Sequence, residues 1–383
     1  SASITLDNLN GTDGFRITGI DFVDAAGFDI SSAGDVNGDG LNDIVIGAPH
    51  HVDTVSNTGE TYVLFGKSGA NPYGSNVNLN ALNTNGITFD SLNLTNDRVG
   101  SSVASGDFNG DGLTDIISMS ANNDSNGTDA GRLYVMLSDG TTGTLDVNAA
   151  LNSTAFALNA PTAGDGNSLS TRVAGGDING DGIDDIFVGL QGDDNGTNAG
   201  EVWVVFGDQL NALDDIGTDN GIGEISDTAS NSLGYLFRGS AANEHFGASI
   251  SSAGDINGDG YEDFIFGAPQ NNPGTTTSPL AATGKAYIVF GGSSNLETLD
   301  TAASAPDDNI IEISALNGST GFTINGITNG DFAGLSVSSA GDFNGDGYDD
   351  FIVTAPQKSL LENAASANAG EVYLIYGKAA FAS

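Results

Sequence analysis

Asp, Asn and Gly recur at fixed spacing in five stretches of nine residues, which we call loops 1 to 5. All five read D-x-N-G-D-G-x-x-D, and their positions are numbered 1 to 9 below. The loops span 35–43, 107–115, 177–185, 255–263 and 342–350. Three carboxylates crowded into nine residues repel one another by roughly several tenths of a kcal/mol per pair or more, so a compensating cation is expected.

The donor types predict a calcium ion in each loop. Calcium takes about 6–8 oxygen ligands from carboxylates, amides, backbone carbonyls and water. Side chains at positions 1, 3 and 5 of a tight loop can converge on one ion. The position-7 carbonyl adds a ligand, Asp at position 9 closes the sphere, and Gly at position 6 permits the turn. The candidate ligands are Asp35, Asn37, Asp39, Leu41, Asp43, Asp107, Asn109, Asp111, Leu113, Asp115, Asp177, Asn179, Asp181, Ile183, Asp185, Asp255, Asn257, Asp259, Tyr261, Asp263, Asp342, Asn344, Asp346, Tyr348 and Asp350.

An ordinary Asn-Gly hairpin turn is the alternative interpretation of these loops. It explains one Asn and one Gly per loop, but not three Asp at constant spacing in five copies, so calcium is favoured. Magnesium is favoured less, because it requires stricter geometry and retains more water. Five calcium ions would change the formal net charge from −41 to −31, and we expect folding to depend on them.

Short segments rich in β-branched and aromatic residues surround each loop and predict strands. Around loop 4, for example, "ASISSAGD" precedes the loop, and "DFIFGAP", "GKAYIVFG" and "GFTINGI" follow it. Four strands per repeat predict the antiparallel blades of an all-β propeller. The first loop begins at 35 and the last at 342, so the four intervals average about 77 residues. Five such repeats account for the whole chain, 1–383, as a single domain.

The two ends of the chain complement each other. A segment of the fourth-strand type, "GFRITGI", lies at 14–20 ahead of the first loop, whereas the last repeat stops after its third-type segment, "GEVYLIYG". The N-terminal strand is therefore predicted to complete the last blade and to close a five-bladed ring, which would remove the exposed sheet edges.

Two short motifs resemble the FG-GAP repeat, which forms the β-propeller of integrin α subunits. They are Phe246-Gly247 followed by Gly267-Ala268-Pro269, and the second recurs at 47–49 and as "TAP" at 354–356. The resemblance extends over the whole chain, although integrin propellers have seven blades. It implies a calcium-binding extracellular or cell-surface protein that mediates cell adhesion or protein recognition, and not an enzyme.

Composition excludes several classes of function. The chain has 9 Lys+Arg against 50 Asp+Glu, which disfavours nucleic acid and anionic membranes as partners. No apolar run approaches the roughly 18 residues of a membrane span. With no Cys and three His, nucleophilic triads and thiol chemistry have few candidates. The chain starts at Ser1 without a signal-like segment, as expected of a mature or excised fragment.

The face opposite the loops is the predicted binding face. Alternation of the strands gathers there the connections between strands 2 and 3, such as "HHVDTVSNTGE" and "QNNPGTTTSPLAATG". These differ in length and sequence, as recognition loops on a rigid scaffold do, although plain solvated connections stay open as an alternative. A protein or glycan ligand at the cell surface is the expected partner. A lectin-like propeller and a passive module of a larger secreted protein are the alternative functions.

Single residues give weaker predictions. His50 and His51 could contribute to a metal site, although a polar surface loop is favoured. Trp203 alternates within a strand and is predicted to lie in the core. Six polar residues of two variable connections could form a further cation site, with turn chemistry as the favoured reading. The six are Asp124, Asn126, Asp129, Asp193, Asp194 and Asn195.

Overall fold

A computed structural model describes the greater part of the chain. The described residues are 6–52, 58–69, 72–90, 97–124, 130–140, 143–146, 151, 155–160, 172–191, 198–210, 212, 222–226, 228, 233–269, 283–302, 308–327, 330–357 and 369–381.

Each of the five repeats forms one antiparallel sheet, which we call blades 1 to 5 in chain order. Blade 1 contains β2 (Ile30–Gly34), β3 (Asp43–Ala48), β4 (Glu60–Leu64) and β6 (Gly86–Asp90). Blade 2 contains β7 (Val99–Gly106), β8 (Asp115–Ser120), β9 (Arg132–Met136) and β11 (Ala155–Asn159). Blade 3 contains β12 (Arg172–Gly176), β13 (Asp185–Leu190), β14 (Glu201–Val205) and β16 (Gly234–Arg238). Blade 4 contains β17 (Ser249–Gly254), β18 (Asp263–Ala268), β19 (Lys285–Val289) and β21 (Gly321–Asn325), and blade 5 contains β22 (Val337–Gly341), β23 (Asp350–Ala355) and β24 (Glu371–Ile375).

Short strands from the spacers extend three of the blades, a feature that the strand count from sequence did not include. The spacer strands are β5 (Asn76–Asn78), β10 (Gly143–Asp146), β15 (Ile222–Glu224) and β20 (Ile310–Glu312). The last three pair in parallel with the fourth strand of the preceding blade: β10 with β6, β15 with β11, and β20 with β16. The spacers therefore tie each of these blades to the repeat that follows it.

Helices are a minor part of the fold. The α-helix whose bounds the structure gives is α1 (Ser293–Thr301). Leu210, Ala212 and Thr228 are also α-helical. Short 3₁₀ turns lie at Leu6–Asn8, Leu79–Ala81, Asn83–Asn85, Gly207–Gln209 and Ile313–Ala315. Within the described part of the chain, none of these helices has the length and apolar character needed to cross a membrane. The prediction of an all-β protein is thus confirmed.

The core lies between neighbouring blades, because the apolar second and third strands of blades 2 to 4 are covered on both faces. The rings of Phe187 in blade 3 and Phe264 in blade 4 stack with their centroids 4.2 Å apart, and both side chains are fully buried. Burial on both faces explains why these strands read as continuous apolar runs rather than as alternating ones. Trp203 is 6% exposed, which confirms its predicted place in the core.

The structure differs from the sequence prediction at the two ends of the array. The N-terminal strand, β1 (Arg16–Thr18), does not pair with β24 but runs parallel to β5. Among the described residues, β24 has β23 as its one partner strand. The reason is that β5 is a spacer strand. The other three spacer strands each pair with the fourth strand of the preceding blade, and β1 occupies the equivalent position beside β5.

The blades form a series rather than a confirmed ring. The first strands pack against one another in the order β2, β7, β12, β17 and β22. Within the described residues, β22 does not pack in this way against β2. Closure of the five blades by the N-terminal strand is therefore not confirmed.

Candidate metal centres

The five loops occupy the same place in every blade. Each connects the first strand to the second, and position 9 is always the first residue of the second strand. Because antiparallel strands place successive connections at opposite ends of a sheet, the five loops share one face. The connections between the second and third strands lie at the other face.

The side chains at positions 1, 3 and 5 turn inward onto the loop backbone. The position-5 N–H donates to Oδ1 of position 1 at 3.0–3.2 Å and to Oδ1 of position 3 at 2.8–2.9 Å in all five loops. The position-6 N–H donates to Oδ2 of position 1 at 2.7–2.9 Å. The position-7 N–H donates to Oδ1 of position 5 at 2.8–3.0 Å. Oxygen atoms of three side chains therefore gather around one short stretch of backbone.

Glycine is required twice in this loop for backbone reasons. Position 4 has φ of 73–79° and position 6 has φ of 83–93° in the five copies. Residues with a Cβ adopt this left-handed region rarely. The invariant glycines thus shape the turn that brings positions 1, 3 and 5 together.

Asp at position 9 holds the loop to the rest of its blade. Its Oδ2 accepts the position-2 N–H at 2.9–3.1 Å. Its Oδ1 accepts an N–H from the residue two positions after the third strand, at 2.6–3.1 Å. An ionised carboxylate has about four lone-pair sites, so these two bonds leave acceptor capacity for a cation.

Burial makes the position-9 carboxylates costly to ionise. They are 0–2% exposed in the five loops. Desolvation raises the pKa of Asp115 to about 7 and the pKa of Asp185 and Asp263 to about 8, and it also raises the pKa of Asp43. A cation nearby would favour the ionised form and offset this cost.

The donor set fits calcium, since every side chain offered is an oxygen donor of the kind that calcium prefers. In each loop, positions 1, 3 and 5 already share hydrogen bonds, and position 9 binds a different pair of N–H groups. Among the described residues, the three Asp of a loop do not form a group whose carboxylate oxygens all lie within 4.8 Å of one another. Coordination of one ion by positions 1, 3, 5, 7 and 9 together therefore stays a prediction.

His51 lies in a buried polar network, and the prediction of a polar surface loop is wrong for this residue. It is 6% exposed, its Nδ1 is 3.1 Å from Asp24 Oδ1, and its Nε2 is 3.5 Å from Glu60 Oε1. Glu60 also accepts the hydroxyl hydrogen bond of Tyr62. Asp21, Asp24 and His51 are the one group of His, Asp or Glu in the described residues with ligand atoms all within 4.8 Å. His50, in contrast, is half-buried, which no local sequence signal distinguishes from its neighbour.

Glu60 has a strongly perturbed ionisation in this network. Desolvation raises its pKa to about 7, and the carboxylates of Asp90 and Asp24 act in the same direction. The hydrogen bond from Tyr62 and the charge of His51 act against this rise. A carboxyl group whose pKa is higher when folded than when unfolded destabilises the fold as the pH rises through that interval.

Replacement of Glu60 by Gln is expected to stabilise the chain at pH 8 but not at pH 4.5. At low pH the folded protein holds a neutral Glu60, so the amide is nearly equivalent. Above pH 7 the variant avoids a buried charge, and its free energy of unfolding should exceed that of the wild type by up to about 3 kcal/mol. Urea denaturation at several pH values measures this difference. Glu371→Gln, at the same position of the half-buried β24, is the matched control, and an equal gain in both variants would contradict the explanation.

Most of the variable connections lie outside the described residues. Asp124 is described and is exposed. The other five residues of the predicted second cation site, Asn126, Asp129, Asp193, Asp194 and Asn195, fall in the undescribed part of the chain. The same holds for the ranges 53–57, 125–129, 192–197, 270–282 and 358–368.

A family model described as "FG-GAP repeat" matches the chain five times. The matched residues are 27–64, 99–136, 170–205, 246–289 and 333–375. Each match includes one loop and the strands around it, and together they cover just over half of the chain.

Two known proteins are similar to parts of this chain. Integrin alpha-PS2 of Drosophila melanogaster is 29% identical over 143 residues, which are 37% of this chain and 8% of the integrin. The crystal structure of the V. cholerae biofilm matrix protein Bap1 aligns with 69% of this chain and 37% of its own, with 16% identity and a TM-score of 0.30. The chain thus spans a small part of the length of each.

Proposed function

The chain belongs to the FG-GAP repeat family, and from this premise we propose that it is a calcium-stabilised extracellular module that recognises a protein ligand in cell adhesion. Calcium at the five loops would hold one face of the array rigid. The opposite face, which carries the variable connections, would bind the ligand. The partial identity to an integrin α subunit supports protein recognition rather than catalysis.

The repetition of one hydrogen-bonded loop in all five blades is the observation that carries the calcium part of the proposal. Each loop contains three Asp although the formal net charge of the chain is already −41. Loops of this kind in extracellular modules bind calcium with dissociation constants of about 10⁻⁴–10⁻³ M. Such affinities match the millimolar calcium outside cells, which supports an extracellular location.

An exposed apolar pair marks one point of the proposed binding face. Phe22 and Val23 are 107% and 61% exposed, in the connection between β1 and β2. Asp24 anchors this connection to His51, which lies near the start of the connection between β3 and β4. A large exposed aromatic on a fixed loop is the type of residue that dominates binding energy in protein interfaces.

Phe22→Ala is expected to weaken ligand binding at least about tenfold without changing the melting temperature. The measurement is calcium-dependent binding of the labelled chain to intact cells and to their extracted surface proteins. Phe343→Ala is the matched control, because Phe343 is 68% exposed but lies in loop 5, on the calcium side. Equal loss in both variants would contradict recognition through the opposite face. Binding that free glycans abolish would instead support a lectin.

A further inference from the structure

Position 8 of each of the loops 2 to 5 binds the backbone of position 1 in the preceding loop. At all four junctions between blades, the position-1 N–H donates to a side-chain oxygen of position 8. The four bonds are Asp35 N to Thr114 Oγ1 at 3.2 Å, Asp107 N to Asp184 Oδ2 at 2.8 Å, Asp177 N to Glu262 Oε2 at 2.9 Å, and Asp255 N to Asp349 Oδ2 at 2.9 Å. At the junctions of blades 1 and 2, 2 and 3, and 4 and 5, the position-8 N–H also donates to the position-1 carbonyl at 3.0–3.2 Å. The next loop therefore holds position 1 on both sides of its backbone.

A glycine before each loop makes room for this contact. The residue that precedes position 1 is Gly in all five copies. A Cβ on Gly176 would lie 2.6 Å from Glu262 Oε2, and a Cβ on Gly254 would clash with the carboxylate of Asp349. The same clash with position 8 of the next loop arises at the other two junctions. These glycines therefore allow position 8 to reach the preceding loop.

The side chain at position 7 covers position 4 of the preceding loop. A Cβ on the position-4 glycine would lie 3.2 Å from Leu113 at the first junction and 3.2 Å from Ile183 at the second. At the third and fourth junctions it would meet the rings of Tyr261 and Tyr348. The backbone carbonyl of position 7 is a predicted calcium ligand. One residue thus belongs to its own candidate site and also contacts the neighbouring loop.

Two consecutive N–H groups after the third strand connect position 9 to the preceding loop at the last two junctions. The first donates to Oδ1 of position 9 in its own blade at 2.9–3.0 Å. The second donates to the position-2 carbonyl of the preceding loop at 2.7–2.8 Å. The donor pairs are Gly291 with Gly292, and Gly377 with Lys378. The position-9 carboxylate, also a predicted ligand, is therefore linked to the backbone of the neighbouring loop.

We propose that these contacts couple calcium binding between neighbouring loops, so that an ion in one loop raises the calcium affinity of the loop before it. The inference rests on the proposed function, because it requires the loops to bind calcium. Positions 7 and 9 would hold the ion, and position 8 lies between them. An ion therefore fixes the residue that holds position 1 of the preceding loop, which is itself a predicted ligand. Position 8 is a positioning residue for a site to which it contributes no ligand.

Coupling of this kind is reciprocal, so an ion in the earlier loop raises the affinity of the later one by the same factor. Repulsion between neighbouring ions acts in the opposite direction. Each loop supplies three Asp to one divalent ion, so an occupied loop keeps a net negative charge and this repulsion is offset. With four coupled junctions, the calcium-loaded face would form over a narrower range of calcium concentration than five independent sites allow.

Terbium luminescence measures the affinity of loop 4 by itself. Terbium(III) replaces calcium in sites built from oxygen ligands, and its emission is excited through a tyrosine close to the ion. Tyr261 occupies position 7 of loop 4, so the emission that Tyr261→Phe abolishes is assigned to this loop. Displacement of terbium by calcium then gives the relative calcium affinity of loop 4 in each variant.

Asp346→Asn empties loop 5 and tests the coupling. Asn keeps the oxygen that accepts the Tyr348 N–H but removes the charge of a predicted ligand. We expect the calcium affinity of loop 4 to fall at least about fivefold. Asp111→Asn is the matched control, because it makes the same change in loop 2, whose blade packs between blades 1 and 3. An equal loss in both variants would contradict coupling through the junction, since it would reflect net charge alone.

Asp349→Ala removes the contact between loops 4 and 5 without removing a predicted ligand. We expect it to lower the calcium affinity of loop 4 by about tenfold or more, as the loss of a group that orients a metal ligand does. In this background Asp346→Asn should have little further effect, so the two changes form a double-mutant cycle with a large interaction term. Asp349→Asn keeps a side-chain oxygen and should restore most of the affinity, which a general loss of packing does not predict.

Two results separate this inference from the calcium proposal on which it rests. If loop 4 binds calcium equally well with loop 5 intact or emptied, the coupling is wrong and the calcium sites stand. If no emission depends on Tyr261, loop 4 is not a calcium site and the coupling fails with it. A higher affinity of loop 4 after Asp346→Asn would also overturn the coupling, because repulsion between ions would then dominate.

Discussion

Removal of calcium is expected to lower the melting temperature of this chain by about 10 °C or more. With about 10 mM free calcium and dissociation constants of about 10⁻⁴–10⁻³ M, each occupied loop stabilises the fold by about 1.4–2.7 kcal/mol. Five loops together contribute about 7–14 kcal/mol on this basis, which corresponds to the stated shift for a chain of this size. Calorimetry in calcium and in EDTA measures the difference.

Charge screening must be separated from site binding in this experiment. The formal net charge is −41, so any salt weakens self-repulsion. Magnesium chloride and sodium chloride at the same ionic strength are therefore the controls. If they stabilise the chain as much as calcium does, or if EDTA leaves the melting curve unchanged, the five loops are turns and not calcium sites.

A variant of one loop tests whether calcium stabilises the chain by binding at the loops. Asp181 Oδ1 accepts the Ile183 N–H at 2.8 Å, and Asn at this position keeps that acceptor while it removes the charge. Titration calorimetry should therefore count about one bound calcium ion fewer for Asp181→Asn than for the wild type. In EDTA the melting temperatures of Asp181→Asn and the wild type should be equal. Asp208→Asn changes an exposed Asp outside the loops and controls for net charge. A lower melting temperature in EDTA would show that Asp181 acts through the backbone alone.

Phe108→Ala is expected to lower the free energy of unfolding by about 3–5 kcal/mol, because it leaves a cavity between blades 2 and 3. Phe343→Ala should cost no more than about 0.5 kcal/mol, the usual range for an exposed substitution. The two residues occupy position 2 of identical "DFNGDG" stretches, yet one is 0% and the other 68% exposed. The pair therefore isolates the contribution of the neighbouring blade.

Urea denaturation of dilute protein in calcium measures both free energies. An equal loss for both variants in dilute monomer would mean that the face of blade 5 is covered within the chain, as in a closed ring. A small loss for Phe108→Ala would mean that the blades do not depend on packing at this junction.

Local signals in the sequence predict much of this fold. The five loops, the strands around them and the all-β class follow from short-range rules, because glycines with positive φ and fixed Asp and Asn positions act within nine residues. The strands are predicted correctly because burial on both faces favours β-branched and aromatic residues in every blade. The family assignment rests on the same repeated segments.

The tertiary structure alone decided how the ends of the array are paired and which equivalent residues are buried. The segment "GFRITGI" has the pattern of a fourth strand, but this pattern does not specify its partner. It pairs with β5, a spacer strand about 60 residues away, rather than with β24. The sequence around His51 predicts a surface histidine, whereas the fold places Asp24 and Glu60 from other segments beside it. Phe108 and Phe343 have the same local sequence, but Phe108 packs against residues of blade 3 whereas Phe343 is 68% exposed. Local chemistry repeats along this chain, whereas burial depends on the neighbour that each repeat receives.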